Sequence, residues 1–598
     1  MNQLNMPCNQ AEVLQYYQSM QKSLTGEVAG LQKRVSTVSW ARLAGFLSVI
    51  VLVYVFADTG NALWLLLSIT LFSFFVFLVA YHQLLHRKLD FARARLALTE
   101  NELEVLAWKP SVYDAGESFQ NELPFADDLD LFGNNSMFHY LNRCATFYGR
   151  RQLANSLKPH LAENTEILSL QEAVVSLKNE PVFRNKVMAL LFQAEHGRGS
   201  SGMDESKEQR FPCNMKRLKH LRLILLSVLA VSFLIYLISG IYSWIIAAII
   251  ANLVVASSYA RKAQWLQEQI GGKKVSFKTM HEVFNQLGTI SSDAVMINEM
   301  KRTGSDALKE LHTLGVLAEW FDRRANVLLY FLGNALFLLD LNLIYRYGSW
   351  LKRNHDRTSL WFDTLGRLEM LMSYAVFAFN RPDYVFPKPW GNDALESDQV
   401  GHPLIPDTAR VRNDIRLSTL EGVQLVTGSN MAGKSTYLRT LGLNVILAQA
   451  GAPVCASVFT WKPCLVLSSL RQSDSLHENT SLFMNELKQL KFILDEAKKA
   501  PFSLILLDEV LRGTNSDDKY AGTYELLKKV SGITCLAVVA THDLRLSTLE
   551  NEFHGRFINY SFESYLSDNE LVFDYLLKRG VAGSRNATWL MKKMGLID

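Results

Sequence analysis

Apolar residues are unevenly spread along this chain. Residues 1–38 are polar with scattered Leu and Val and predict a helix. An apolar run over 43–57 follows, with Trp40 and Arg42 just before it. Asp58, Thr59, Gly60 and Asn61 interrupt it, and a second run over 62–81 is 20 residues without a charge. That matches the roughly 20 residues a helix needs to cross a hydrocarbon core. Lys33, Arg34 and Arg42 precede the pair, Arg87, Lys88, Arg93 and Arg95 follow it, and the interruption carries no Lys or Arg. Basic residues mark the cytoplasmic side, so both ends are expected inside and the interruption outside. The pattern then repeats. Lys216, Arg217, Lys219 and Arg222 precede a run over 223–239, a break at 240–243 follows, and a run over 244–258 ends at Arg261 and Lys262. Tyr242 and Trp244 stand where interfacial aromatics belong. The expectation is two transmembrane helical hairpins of one orientation, separated by a polar segment with helical periodicity over 82–215.

A fifth apolar stretch, 327–345, contains Asn334, Asp340 and Asn342. An Asp at the centre of a span costs about 2.5–3.5 kcal/mol, and a single extra crossing would carry everything after it to the other side. This stretch reads as a buried or membrane-surface helix. From Tyr384 the texture changes: Pro387, Pro389, Pro403 and Pro406 mark irregular chain. Short apolar segments at 423–427, 503–507 and 535–540 then alternate with helical patterns, which predicts a parallel sheet flanked by helices. The expected order is an N-terminal cytoplasmic helix (1–38), hairpin one (39–89), a helical region (90–215), hairpin two (216–262), further helices (263–383) and an α/β domain (384–598).

Composition changes this picture little. Hydrophobic residues make up 49% and charged residues 20% of 598, as in globular chains. The mean hydropathy of +0.05 is high for a soluble protein, and the four apolar runs account for it. A net charge of +4 is no nucleic-acid signature by itself. Cys8, Cys144, Cys213, Cys455, Cys464 and Cys535 form no CxxC pair, so neither a zinc site nor a disulfide framework is indicated. Reduced thiols are expected, and the first 35 residues show no signal-peptide core.

The chemistry lies in the α/β domain. Gly428, Ser429, Asn430, Met431, Ala432, Gly433, Lys434 and Ser435 fit GxxxxGK[ST], after an apolar strand and before a helical run from Thr436. Glycines let backbone amides face phosphate oxygens, and the helix start adds positive potential. Lys434 would reach the β- and γ-phosphates of ATP and Ser435 would ligate Mg2+. Residues 504–507 are apolar and end at Asp508 and Glu509. Asp508 is placed to hold the magnesium ion, and Glu509 to orient or deprotonate the attacking water.

These motifs resemble the MutS family. Residues 427–439, TGSNMAGKSTYLR, are similar to its TGPNMGGKSTYLRQ signature, with Ser429 for the usual Pro. Residues 507–514, LDEVLRGT, resemble LDEIGRGT; residues 540–542 resemble its ATH switch; residues 480–484, TSLFM, resemble STFM with Leu482 for Thr. Residues 411–414 look like its vPND turn and 578–584 like its final KPGxxxxS stretch. Upstream, 131–133, 136–142, 146–150, 157–159 and 171–174 look like the start of the MutS core, with returning core and lever helices over 263–380. The resemblance implies an ABC-like P-loop ATPase domain working in a dimer with composite sites. It implies that Asn430 contacts the γ-phosphate or its water, that Ser481 faces a partner's nucleotide and that His542 senses the γ-phosphate. Asn413 is the turn Asn, and the adenine-stacking aromatic three positions before it is Arg410 here, so Arg410 itself or Tyr575 would stack. Catalytic roles thus fall on Glu509, Lys434 and His542. Nucleotide contacts fall on 428–436, Asn413, Ser481 and Tyr575, and metal contacts on Ser435 and Asp508. The first apolar hairpin stands where the family's mismatch-reading domain is expected, and the second where its DNA clamp is expected.

The expectation is therefore an integral protein of a bacterial-type inner membrane, a homodimer with its ATPase domain cytoplasmic. ATP would drive a conformational switch whose protein partner is unknown. The alternative is a DNA-binding MutS homologue of repair or recombination type, tethered to the membrane. Clusters of Lys and Arg with interleaved aromatics are absent outside the membrane flanks, which favours the first reading.

Overall fold

The computed structural model describes residues 9–122, 127–196, 214–324, 326–389, 394–419, 421–429, 431–470, 482–512, 514–567 and 570–583. Helix α1 (Gln10–Thr59) begins where the Asn9 side chain accepts from Glu12 N, and ends at Gly60, left-handed with φ 65°. The polar start and the apolar run share this one helix, so no break marks the boundary expected at 38/39. Pro is absent from the segment, so nothing forces an interruption. Asn61 caps α2 (Ala62–Leu106), which returns antiparallel along α1. Val35, Leu85 and Leu89 seal the two helices together near their basic flanks.

Helices α3 (Met137–Leu141), α4 (Phe147–Ser156), α5 (Asn164–Lys178) and α6 (Pro181–His196) follow, in a helical unit that α2 and later helices complete. The second hairpin follows as α7 (Met215–Ser239) and α8 (Ser243–Leu287), with Gly240 at φ 70° closing the first of them. Helix α9 (Val295–Arg323) returns along α8. The fifth apolar stretch is not one helix. It divides into α10 (Val327–Phe337) and α11 (Leu339–Asn380) at Leu338, which is left-handed at φ 50°. Among the described residues, α1, α2, α7 and α8 through Glu268 are long and apolar enough to cross a membrane, and their apolar windows are at most 17% buried.

The last part is mixed α/β. Strands β1 (Lys388–Pro389), β2 (Ala394–Val400), β3 (Asn413–Ser418) and β5 (Val458–Trp461) make a small sheet in the order β1-β5-β2-β3. The larger sheet contains β4 (Val423–Gly428), β6 (Leu465–Ser469), β7 (Ser503–Asp508), β8 (Cys535–Thr541), β9 (Phe557–Ser567) and β10 (Glu570–Arg579), in the order β10-β9-β4-β8-β7-β6. All its neighbours are parallel except β10 on β9. Every residue of β4, β7 and β8 is buried, as central strands covered on both faces require. Helices α12 (Lys434–Gln449), α13 (Leu482–Lys499) and α14 (Ser516–Ser531) flank it, with the short α15 (Leu549–Glu552) before β9. The small sheet and the antiparallel edge were not expected from the apolar pattern.

Among the contacts that join the parts, two lie close to the α/β domain's helix α12 and to the end of α11. Leu129 packs on Gly442 of α12, where a Cβ would meet Leu129 Cδ2 at 2.7 Å. The Asp407 carboxylate gathers three donors: Gln10 of α1 at 2.8 Å, Arg381 at the end of α11 at 3.1 Å, and Arg410 at 2.5 Å.

Candidate functional site

Strands β4, β8 and β7 lie side by side and end together, with Thr427 opposite Thr541 and Asp508 opposite Ala540. Ligand sites in parallel sheets form beyond such carboxyl ends. Three loops leave this edge. The first is the glycine-rich turn. Gly428 has φ 150°, and a Cβ there would meet Phe562 O at 2.7 Å. Gly433, at φ 103°, begins α12. Met431 is left-handed at φ 72° and 85% exposed. Lys434 is buried and donates to the carbonyls of Gly428 and Ser429 at 2.9 Å each. Burial lowers its pKa to about 8. Ser435 donates its hydroxyl to Asp508 Oδ2.

The second loop leaves β7. Glu509 and Leu511 are both left-handed, at φ 49° and 60°. Such strain in non-glycine residues concentrates at functional sites. Two bonds from backbone amides hold the turn: Glu509 N donates to Ala540 O at 3.0 Å, and Leu511 N to the Glu486 side chain at Oε1, at 2.5 Å. The third loop leaves β8 with His542, whose Nε2 lies 2.5 Å from Glu509 Oε1 and 3.2 Å from Lys434 Nζ. One ring nitrogen cannot donate to Glu509 and accept from Lys434 together. The shorter contact takes the proton, and the lysine hydrogens go to the two carbonyls. That bond to His542 holds the Glu509 pKa down at about 2, against the opposing effect of burial.

The remaining site residues are distributed as follows. Ala432 is buried beneath the turn, and Thr436 carries the chain into α12. The Asn413 side chain bonds Tyr575 O at 3.0 Å and accepts from Leu577 N at 2.7 Å. It thereby clamps the register shift of β10 between Phe573 and Leu577. Tyr575, left-handed at φ 54°, is 43% exposed and lies against Gly433, 3.1 Å from where a Cβ would stand. Arg410 is not available to stack on a base. It is buried, with Nε and Nη2 on Ile405 O at 3.0 and 2.6 Å and Nη1 on Asp407. Asn430 and Ser481 lie outside the described residues. Arg512 went unassigned from sequence. Its guanidinium lies 3.3 Å from Glu509 Oε2 and 3.8 Å from Asp508 Oδ1. The i, i+3 and i, i+4 spacing from the two acids was the available signal.

The residues present suit a magnesium nucleotide. Ser429 Oγ is buried with no hydrogen-bond partner among the described residues, glycines clear the backbone, and a hydroxyl and carboxylate pair beside a buried cation. Residues 424–592 match the family model described as MutS domain V. The chain is 31% identical over 234 residues to MutS protein homolog 4 of Mus musculus, covering 38% of this chain and 24% of that protein. It is 32% identical over 244 residues to the DNA mismatch repair protein MutS of Aquifex pyrophilus, covering 39% and 27%. With the protein of the same name from Clostridium botulinum strain 657 it shares 30% over 267 residues, covering 43% and 28%. The chain thus spans about a quarter of the length of these relatives.

Proposed function

Residues 424–592 are similar to MutS domain V, and from that premise we propose that the chain is a membrane-anchored ATPase of MutS type whose nucleotide cycle switches its conformation. The observation that carries this is the meeting of Lys434, Ser435, Asp508, Glu509 and His542 at the ends of three adjacent strands. Ser435 and Asp508 would hold Mg2+, which neutralises phosphate charge when bound. The loop amides and Lys434 bind the phosphates of ATP, and Lys434 exchanges its two carbonyl bonds for phosphate oxygens. Tyr575 offers the base an exposed ring. Glu509, with a pKa of about 2, is a weak base at neutral pH, so its carboxylate orients the attacking water rather than taking its proton first. His542 fixes that carboxylate. Arg512 balances both acids.

A dimer is supported by the resemblance of residues 427–439 and 480–484 to family motifs that work in composite sites. Membrane anchoring is supported by four long apolar helices with basic flanks. The test is ATP turnover by purified full-length protein. Lys434→Ala is expected to lose nucleotide binding. Glu509→Gln is expected to bind ATP and turn over at least about 10²-fold more slowly; undiminished turnover would show that another group positions the water.

A second reading is favoured by the relatives themselves, two of which are named for DNA mismatch repair. In it the chain binds DNA while tethered. Binding to matched and G·T-mismatched duplexes near physiological salt separates the two. The membrane-switch reading expects no mismatch preference; a tenfold preference, about 1.4 kcal/mol, establishes the other.

A further inference from the structure

Helix α10 is built inside out. Its outward side chains are Val327, Phe331, Leu332, Leu336 and Phe337, exposed by 40–69%. Its polar side chain, Asn334, is fully buried. A helix facing water carries the opposite pattern. Helix α10 packs on α8, and two contacts give its depth. Just before it, Arg324 Nη2 donates to Ala260 O at 3.0 Å, beside the basic flank of Arg261 and Lys262. Near its end, Ala335 O accepts from Asn252 Nδ2 at 2.8 Å. Asn252 lies about 12 Å before Ala260 along α8, away from the basic flank and in the middle of the apolar run.

Resting on the membrane reading above, we propose that α10 and the start of α11 form a re-entrant hairpin. It enters the hydrocarbon from the cytoplasmic side, turns at Leu338 near the level of Asn252, and leaves as α11. Non-helical backbone at that depth must be satisfied by protein, because lipid offers no hydrogen bonds. The break meets this condition with the polar side chains that argue against a plain span. Asn334 Oδ1 accepts from Asp340 N at 2.9 Å, and Asn342 Nδ2 donates to Phe337 O at 2.5 Å. Asn252 serves Ala335 O. The Asp340 carboxylate is fully buried and pairs with Arg324 Nε at 2.8 Å, and Arg222 of α7 donates to Asn342 Oδ1 at 2.9 Å. Polar groups thus line the inside of the turn while apolar groups continue the exposed faces of α7 and α8. Hydrocarbon is the occupant this surface fits.

The test places single nitroxide-labelled cysteines in the full chain in lipid nanodiscs, with Cys8 and Cys213 replaced by Ser. Accessibility to oxygen and to a water-soluble nickel chelate is read at Phe337→Cys, Phe331→Cys, Ile250→Cys in α8 and Ser516→Cys. Phe337 and Phe331 are exposed, so their replacement leaves the packing intact. The expected result is that Phe337 and Ile250 favour oxygen, Phe331 does so less strongly, and Ser516 favours nickel. If Ile250 favours oxygen while Phe337 and Phe331 behave like Ser516, the re-entrant hairpin is overturned and the membrane reading stands. If Ile250 itself favours nickel, the membrane reading fails and the hairpin with it.

Discussion

At the scale of single residues, Lys434 makes the nucleotide site sensitive to alkali. Its pKa of about 8 lies below the ordinary lysine value because burial disfavours the charged form. A phosphate beside it restores that charge, so binding takes up a proton once the free site has lost one. ATP affinity is therefore expected to be flat below pH 7 and to weaken above pH 8, towards tenfold per pH unit; titration of a fluorescent ATP analogue from pH 6.5 to 9.5 reads this. Affinity that stays level to pH 9.5 would mean that the lysine keeps its proton throughout. The loop, Lys434, Ser435 and the two acids were legible in the sequence because each belongs to a contiguous motif whose chemistry is local. Asn413 and Arg410 were less so. Asn413 acts on Tyr575, 162 positions away, and Arg410 is turned from the site by Ile405 and Asp407, which no spacing rule encodes.

At the scale of elements, α4 and α11 cross closely because two glycines permit it. A Cβ at Gly366 would meet Tyr148 O at 2.7 Å, and one at Gly149 would meet the Glu369 side chain at 2.5 Å. Glu369 itself accepts from Ala145 N at 2.8 Å and Thr146 N at 3.1 Å, capping the start of α4 from the other helix. Gly366→Ala is expected to destabilise the helical unit by about 1–3 kcal/mol, since backbone must move. Gly315→Ala in α9, where nothing lies within 4 Å of the new carbon, is expected to stabilise by up to about 1 kcal/mol through helix propensity. Thermal unfolding in detergent compares them, and equal midpoints would contradict the close crossing. Strands β4, β7 and β8 and the four long apolar helices were predictable from uninterrupted runs. The division between α10 and α11 was not. It depends on Asn252, Asn334 and Asn342 finding carbonyls and amides across the fold, so the same polar residues read in sequence only as objections to a span.

At the scale of the whole molecule, the orientation of the chain is open to direct labelling. With Cys8 and Cys213 replaced, a cysteine at Asn61 or Ser243 is expected to react with an impermeant thiol reagent from outside intact cells, and one at Ser516 only after lysis. Labelling at Ser516 in intact cells would overturn the four-span arrangement. The Asp407 junction gives that arrangement a mechanical sense. Helix α1 leads from it into the first hairpin, and α11 leads back from it to α10 and the second. In the proposed switch the molecule would work like a pair of compasses, its two legs held together at Asp407 and by Tyr17, which bonds Asn380 at 2.9 Å and packs on Phe379. Helix α11 is about 63 Å long, so a turn of about 5° at the pin swings its far end by about 5 Å. A displacement too small to notice at the phosphate loop becomes, at the points of the compasses, the width of a helix radius.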